Sequence, residues 1–352
     1  MAKIHKFADI HPSAIIGKNV AIGAFCNIGT NVKIGENCVI KGQCKISSGA
    51  TVGKNVVMKE FCKIGSDVKI GAGCVIKGQC NISSGAIVGK NVEMKEFCKI
   101  GSNVKIGAGC KLKGQCNIVG YTEMGENNTI YPFVSLGTEP HDLSFKGWES
   151  YLKIGNCNTF REGFTSNVGA DEGSSTVIGN NCFFMANSHV GHNSHVGDRV
   201  IMANGSLLAG HTTLGDGCFI GGNSTIHQFV RIGRLVMIGG SSATSLDIPP
   251  FMMVAGRNQP IRALNLVGMK RNGFSRQEVS AVRKLFVIFF RSELSIPNAL
   301  VKIKEEVEML PAVEEFTDFV EKRNKRPLAT GTEHGLKGWE HRLHSIAQNA
   351  EK

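Results

Sequence analysis

An apolar residue occupies every sixth position of this chain from Ile10 to Leu136 without a break. Residues 34 to 69 show the pattern when written in sixes: IGENCV IKGQCK ISSGAT VGKNVV MKEFCK IGSDVK. The phase lapses, returns at Ile154 and Phe160, lapses again, and then runs from Ile178 to Ile238. A period of six matches neither the two-residue alternation of a half-buried strand nor the 3.6-residue turn of a helix. It is the hexapeptide period of a parallel β-helix, in which three sixes close one triangular coil. Successive coils then stack about 4.8 Å apart, the spacing of hydrogen-bonded strands.

A longer repeat agrees with that coil. Residues 38–73 recur almost letter for letter as 74–109, and CKLKGQC begins a third copy at 110. The repeat is six hexads, or two coils, so duplication keeps the register. Cys26, Cys44, Cys62, Cys80, Cys98 and Cys116 stand 18 apart and are expected to stack along one inner edge. No C-x-x-C pair occurs, and Ala50, Val56 and Val68 fill equivalent slots, so the reading for this ladder is packing of small apolar groups.

From about residue 257 the rhythm turns helical. Ser275 and Glu278 make a capping box. Val279, Val282, Phe286, Phe289 and Phe290 then form a stripe at helical spacing. Further helices are predicted at about 296–310 and 312–323, separated by Pro311. The expected organisation is a β-helix over 1–256, with loops at about 137–153 and 166–177. A helical domain over 257–326 caps the sheet edges, and 327–352 is a tail without an assigned role.

Composition adds little to the fold but bears on location and partners. The 352 residues include 43 Gly and only 9 Pro, with 7% aromatics, which suits small buried side chains and many turns. The formal charge of +11 favours an acidic partner or a phosphorylated ligand. No apolar run reaches the roughly 18 residues of a membrane-spanning helix. The opening MAKIHKFADIH lacks the apolar core of a signal peptide. The expectation is a cytoplasmic protein, not an integral membrane one, with reduced thiols and no nucleic-acid partner.

Candidate chemistry gathers in MANSHVGHNSHVG, residues 185–197. With three hexads to a coil, His192, Gly210 and Gln228 share one vertical column, with His211 beside Gly210 and His227 beside Gln228. His189 joins them. A histidine one layer from a glycine amide suits acyl transfer: the imidazole takes a hydroxyl proton and the N–H stabilises the oxyanion. Glycine also lets an acyl group approach closely. A three-histidine zinc site is a rival reading, but it needs another spacing along neighbouring coils.

The runs ANSHVGHNSHVGDRVIMANGSLLAGHTTLGDG, GGNSTIHQFVRIG, SLDIPPFMMVAGRNQP and LNLVGMKRNGFSR together resemble the UDP-N-acetylglucosamine O-acyltransferase family of lipid A biosynthesis. The resemblance covers roughly residues 10 to 325. It implies an all-β left-handed parallel β-helix with a C-terminal α-helical cap, assembled as a homotrimer. It implies transfer of a 3-hydroxyacyl chain from acyl carrier protein to the 3-hydroxyl of a UDP-sugar, UDP-N-acetylglucosamine. No resident cofactor or metal is implied, since phosphopantetheine arrives on the carrier. His192 would be the general base and the Gly210 amide the oxyanion donor. His189, His211, His227 and Gln228 would line the cleft. The loop LGTEPHDLSFKG, residues 136–147, would offer Asp142 to the sugar with His141 beside it. Asn265 and Arg271 would reach the nucleotide from an adjacent subunit, and Gly240 would gauge acyl length.

The chain departs from the family pattern at several of these places. Asn193 stands where the family usually has Asp, and an amide there orients the imidazole without adding charge. Ser144, Asn272 and Val267 replace a lysine, an arginine and an acid, and Asn167-Val168-Gly169 replaces a basic HRG motif. Rival functions follow: acylation of a 3-amino UDP-sugar, the later N-acyltransferase of the pathway, or a non-catalytic scaffold or sugar-nucleotide binder.

Overall fold

The computed structural model describes residues 2–257, 261, 263–322 and 325–329. The chain divides into two compact units, residues 1–211 and 212–352.

Along the regular coils of the first unit a hexad forms one two-residue strand and one corner, as in Lys33–Ile34 followed by the turn to Cys38. Ile34 and Cys38 point inward and are buried, while Lys33 lies outside. The corner residue before the buried slot is left-handed: Asn37 has φ 58°, and Asn19, Asn31, Asn55 and Asn91 repeat it at 54–58°. Asparagine is among the few non-glycine residues that accept this region readily, which explains its place in so many hexads. Strands pair in parallel at a step of three hexads, as in Lys45↔Lys63 and Ile46↔Ile64. The hydrogen bonds follow the same step, with Lys33 N–H to Ala50 O at 2.9 Å and Gly35 N–H to Val52 O at 2.8 Å. Three parallel sheets result, and the fold is a left-handed β-helix with C-terminal helices.

The two lapses in the hexad phase are loops. Tyr121 pairs with Tyr151 and Tyr151 with Ser175, so the first of these coils is longer by two hexads and the second by one. Whole hexads are added, which is why the phase resumes. The loops are shorter than the expected 137–153 and 166–177. Tyr121–Met124, Tyr151–Ile154 and Ser175–Ile178 pair along their full length and draw the loop ends into strands, leaving 139–150 and 168–174 outside the sheets.

The cysteine ladder is buried, at 0–1% exposure throughout, with free thiols. Its slot does more than take a small group. Each of four thiols donates to a carbonyl of the next coil: Cys26 to Lys41 at 2.9 Å, Cys44 to Lys59 at 3.0 Å, Cys62 to Lys77 and Cys80 to Lys95 at 3.1 Å. Ser194 makes the same bond to Ala209. Burial pushes the neighbouring Cys38, Cys74 and Cys110 thiols up from their ordinary value, keeping them protonated.

The copies 38–73 and 74–109 differ at four pairs: Lys45/Asn81, Thr51/Ile87, Val57/Glu93 and Asp67/Asn103. Six of these eight side chains are exposed, and Val57 and Glu93 are half-buried. Every inward residue is identical. The two copies carry eleven Lys against Glu60, Asp67, Glu93 and Glu96, a surplus of seven of the chain's eleven net charges.

The second unit continues the hexads, with Thr213↔Arg231, Phe219↔Met237 and Thr225↔Ala243 again 18 apart. Among the described residues four helices follow: α1 (Leu266–Arg271), α2 (Arg276–Phe290), α3 (Ile296–Glu306) and α4 (Pro311–Glu321). The Ser275–Glu278 capping box opens α2 as expected, and Pro311 is the first residue of α4. The short α1 is an addition to the predicted helices. The buried face of α2 is Ala281, Val282, Leu285, Ile288, Phe289 and Phe290, with Phe286 only half-buried. Asp247 closes the last coil. It is fully buried and accepts Arg231 N–H at 2.8 Å and Nε–H at 2.7 Å, while its backbone pairs with Pro327 and Ala329. The sequence beyond Ala329 lies outside the described residues. Among the described residues no helix is long and apolar enough to cross a membrane.

Identical inward faces make one coil pair dispensable. Deleting residues 38–73 joins Asn37 to Cys74, which packs as Cys38 does. The shortened protein should fold and melt cooperatively by circular dichroism, because each coil contacts only its neighbours. An unfolded product would contradict this.

Candidate active site

His192 and Gly210 occupy the same position in the hexad, the residue before a left-handed corner. The corners are Asn193 at φ 57° and His211 at φ 58°. A coil-to-coil bond from His211 N–H to His192 O, 2.9 Å, locks the two turns together. The His192 imidazole lies against Gly210: an ideal Cβ built there would overlap Nε2 and stand 2.5 Å from Cε1. No side chain fits at 210 while the ring stays in place. His192 is 5% exposed.

The ring's other nitrogen is held from its own coil. His192 Nδ1 lies 3.0 Å from Asn193 Oδ1. That oxygen also accepts Ala170 N–H at 2.7 Å, and Asn193 Nδ2 donates to Asp171 Oδ2 at 3.3 Å. These partners orient the amide with its oxygen toward the imidazole. A neutral His192 therefore carries its proton on Nδ1 and presents the Nε2 lone pair. Nε2 faces Asp142 Oδ2 at 4.0 Å, beyond hydrogen-bond length.

Asp142 comes from the 139–150 loop, whose start is anchored by Asn167: its Nδ2 donates to Thr138 Oγ1 at 3.0 Å and Glu139 O at 2.7 Å. Ser144 donates its N–H (2.9 Å) and hydroxyl (2.7 Å) to Asp142 Oδ1. Those two bonds hold the Asp142 carboxyl below its ordinary value, with a smaller pull from His192 and His211. His211 meets His192 edge-on at 5.2 Å between ring centres, and His141 stacks on His189 at 5.8 Å. His189 Nδ1 lies 2.7 Å from Thr165 Oγ1. Burial, then the neighbouring His141, lowers its pKa to about 4, so His189 is neutral at pH 7. His141, Asp142, His189, His192, Gly210 and His211 are thus one cluster in the first unit.

The remaining candidates lie in the second unit. His227 and Gln228 are exposed, and Arg326 engages both: its Nη2 is 2.6 Å from His227 Nδ1 and its Nε donates to Gln228 O at 2.8 Å. Gly240 is exposed and its nearest contact for an added Cβ is Gly222 O at 3.4 Å, so a side chain fits there. Asn265 caps α1, with Oδ1 accepting Gly268 N–H and Nδ2 donating to Leu235 O, both at 2.8 Å. Arg271 is exposed at the end of α1. Sequence reasoning missed Asp171, Ala170 and Arg326. Nothing in the hexad pattern marks loop residues that reach a coil corner.

Both units match known proteins. Residues 247–329 match the model of UDP-N-acetylglucosamine O-acyltransferase, domain 2. Residues 13–48, 43–78 and 175–210 match bacterial transferase hexapeptide repeats, and 211–240 the hexapeptide repeat of succinyl-transferase. The acyl-[acyl-carrier-protein]–UDP-N-acetylglucosamine O-acyltransferase of Synechocystis sp. is 41% identical over 187 residues, 53% of this chain and 67% of that one. Its Anaeromyxobacter dehalogenans counterpart is 40% identical over 185 residues, 52% of this chain and 72% of that one. The chain belongs to the UDP-N-acetylglucosamine O-acyltransferase family. The family's solved Arabidopsis member, a UDP-N-acetylglucosamine acyltransferase, superposes with a TM-score of 0.64 at 29% identity, covering 93% of this chain and all of that one.

A methyl group at 210 tests the contact between ring and glycine. Gly210 has no left-handed backbone to strain, so Gly210→Ala should melt near wild type while forcing the imidazole aside. A displacement of that size should lower any His192-dependent turnover by about a hundredfold. Unchanged kcat/KM would show that ring and glycine do not act together.

Proposed function

We propose that this protein transfers a 3-hydroxyacyl chain from acyl carrier protein to the 3-hydroxyl of UDP-N-acetylglucosamine, at the start of lipid A synthesis in the cytoplasm. The observation that carries this reading is the His192 imidazole, held by Nδ1 with Nε2 against the Gly210 backbone. The names of the relatives supply the substrate classes. Nε2 takes the proton of the sugar hydroxyl as its oxygen attacks the thioester carbonyl. The Gly210 N–H donates to the developing oxyanion. Collapse expels the phosphopantetheine thiolate, which recovers the proton from His192. Asp142 stands 4.0 Å from Nε2, where it can receive a sugar hydroxyl, and neutral His189 can accept or donate beside it.

We also propose a homotrimer. Phe25, Phe61, Phe97 and Phe133 recur at every second coil on one outer corner, each left-handed and 49–65% exposed. Such an apolar column suits burial against another copy. Gly240 leaves space for acyl carbons, and Arg271 is exposed for an anionic nucleotide.

The test is turnover of UDP-N-acetylglucosamine with a panel of 3-hydroxyacyl carrier proteins, for wild type and His192→Ala. Wild-type turnover should be abolished by the substitution, with one chain length preferred. Activity only on the 3-amino sugar would change the acceptor. No turnover on either would leave a binding scaffold.

A further inference from the structure

We infer that Asp171, acting through Asn193, positions the His192 imidazole and stabilises its cation. The inference rests on the reading of His192 as the base. The 168–174 loop wraps the Asn193 side chain from two sides: Ala170 N–H meets Oδ1 at 2.7 Å and Asp171 Oδ2 meets Nδ2 at 3.3 Å. Asn193 cannot swing away. It sits at a coil corner, and its own N–H donates to Thr176 Oγ1 at 2.9 Å.

The Asp171 backbone is likewise fixed, while its side chain is exposed. Its N–H donates to Ser174 Oγ at 3.0 Å, and its carbonyl accepts Ser174 Oγ–H at 2.7 Å and Ser174 N–H at 3.0 Å. Gly173 N–H ties the loop to Glu149 O at 2.8 Å. The result is a chain of three groups, carboxylate to amide to imidazole. A carboxylate accepting from the amide N–H draws that bond's polarity toward the amide oxygen, and adjacent hydrogen bonds strengthen one another. The amide oxygen becomes a better acceptor for Nδ1–H, and most so when the ring is cationic. Asp171 therefore serves two ends: it fixes the amide so that Nε2 is the basic nitrogen, and it stabilises the imidazolium formed during attack. Asp171 touches neither substrate nor ring, so it is a positioning residue. The other titratable groups around His192 are Asp142, His211 and His189, with His141 stacked on the last.

The experiment uses full-length wild type, Asp171→Asn, Asn193→Asp and the double variant, all of which keep those four neighbours. Two quantities are followed against pH: kcat and KM for acyl transfer, and His192 protonation by NMR of histidine-labelled protein. Asp171→Asn keeps an accepting oxygen but removes its charge, so it should lower kcat about three- to tenfold, the difference between a charge-assisted and a neutral hydrogen bond, with KM unchanged. Losing a negative charge should also shift the His192 titration, and the acid limb of the rate profile, to lower pH. In the Asn193→Asp background, where residue 193 brings its own carboxylate, the sign should reverse. There Asp171 is a like charge, and Asp171→Asn should leave kcat unchanged or raise it. Equal losses in both backgrounds, or a His192 titration indifferent to Asp171, would overturn the proposal. The NMR titration needs no turnover, so a wild type without acyl transfer would defeat the catalytic reading while His192 still reports on Asp171.

Discussion

Everything in this chain hangs on the backbone ladder that joins each coil to the next, three hexads further on. The bond from Lys33 N–H to Ala50 O recurs from Lys45 to Cys62, from Lys63 to Cys80 and onward, all near 2.9 Å. Because the ladder is made by backbone alone, it accepts almost any outward side chain, and through the regular coils it carries the register unaltered from hexad to hexad. It also converts distance along the chain into position. Along the regular coils, residues 18 apart meet.

The site exploits this conversion and then supplements it. Backbone register alone brings His192 to Gly210 and His211 to His192. It cannot supply a carboxylate, since the hexad slots near His192 hold Gly, Asn and Ser. The two long coils do that. Their extra hexads disturb the ladder only at a register shift between Leu136 and Thr138 and reach the corner from outside, bringing Asp142 toward Nε2 and Asp171 to Asn193. Rigid coils place the ring, and loops bring the carboxylates to its surroundings. The duplicated coils lie outside this cluster and carry most of the surplus positive charge, so the net charge of the chain describes those coils more than the site.

The parts that were legible in the sequence are those governed by period. Hexads mark the strands because one inward residue per six must be apolar, and the Cys26–Cys116 ladder shows the coil length directly. The pairing of His192 with Gly210 follows from the same count. Other features obey no period. The α1 helix is short, contains Gly268 and is secured by the Asn265 cap, so neither propensity nor stripe announces it. That cap and the bond to Leu235 occupy the side chain for which the resemblance implies a nucleotide contact. Arg326 meets His227 from a distant stretch of sequence, without any repeat to mark the pairing. The thiol-to-carbonyl bonds of the ladder were hidden because cysteine, alanine and valine all fit the same slot by size.

Stacking register, more than the local sequence of either turn, makes the site. One extra coil, a copy of residues 38–55 placed between Arg199 and Val200, tests this most directly. The insert keeps hexad phase and sheet face but sets the copy of Ser48 against His192, moving Gly210 one coil away. The same coil inserted between Asn37 and Cys38 serves as the control. Both proteins should fold; the control should keep its turnover and the first should lose it. Equal turnover in the two would contradict the account.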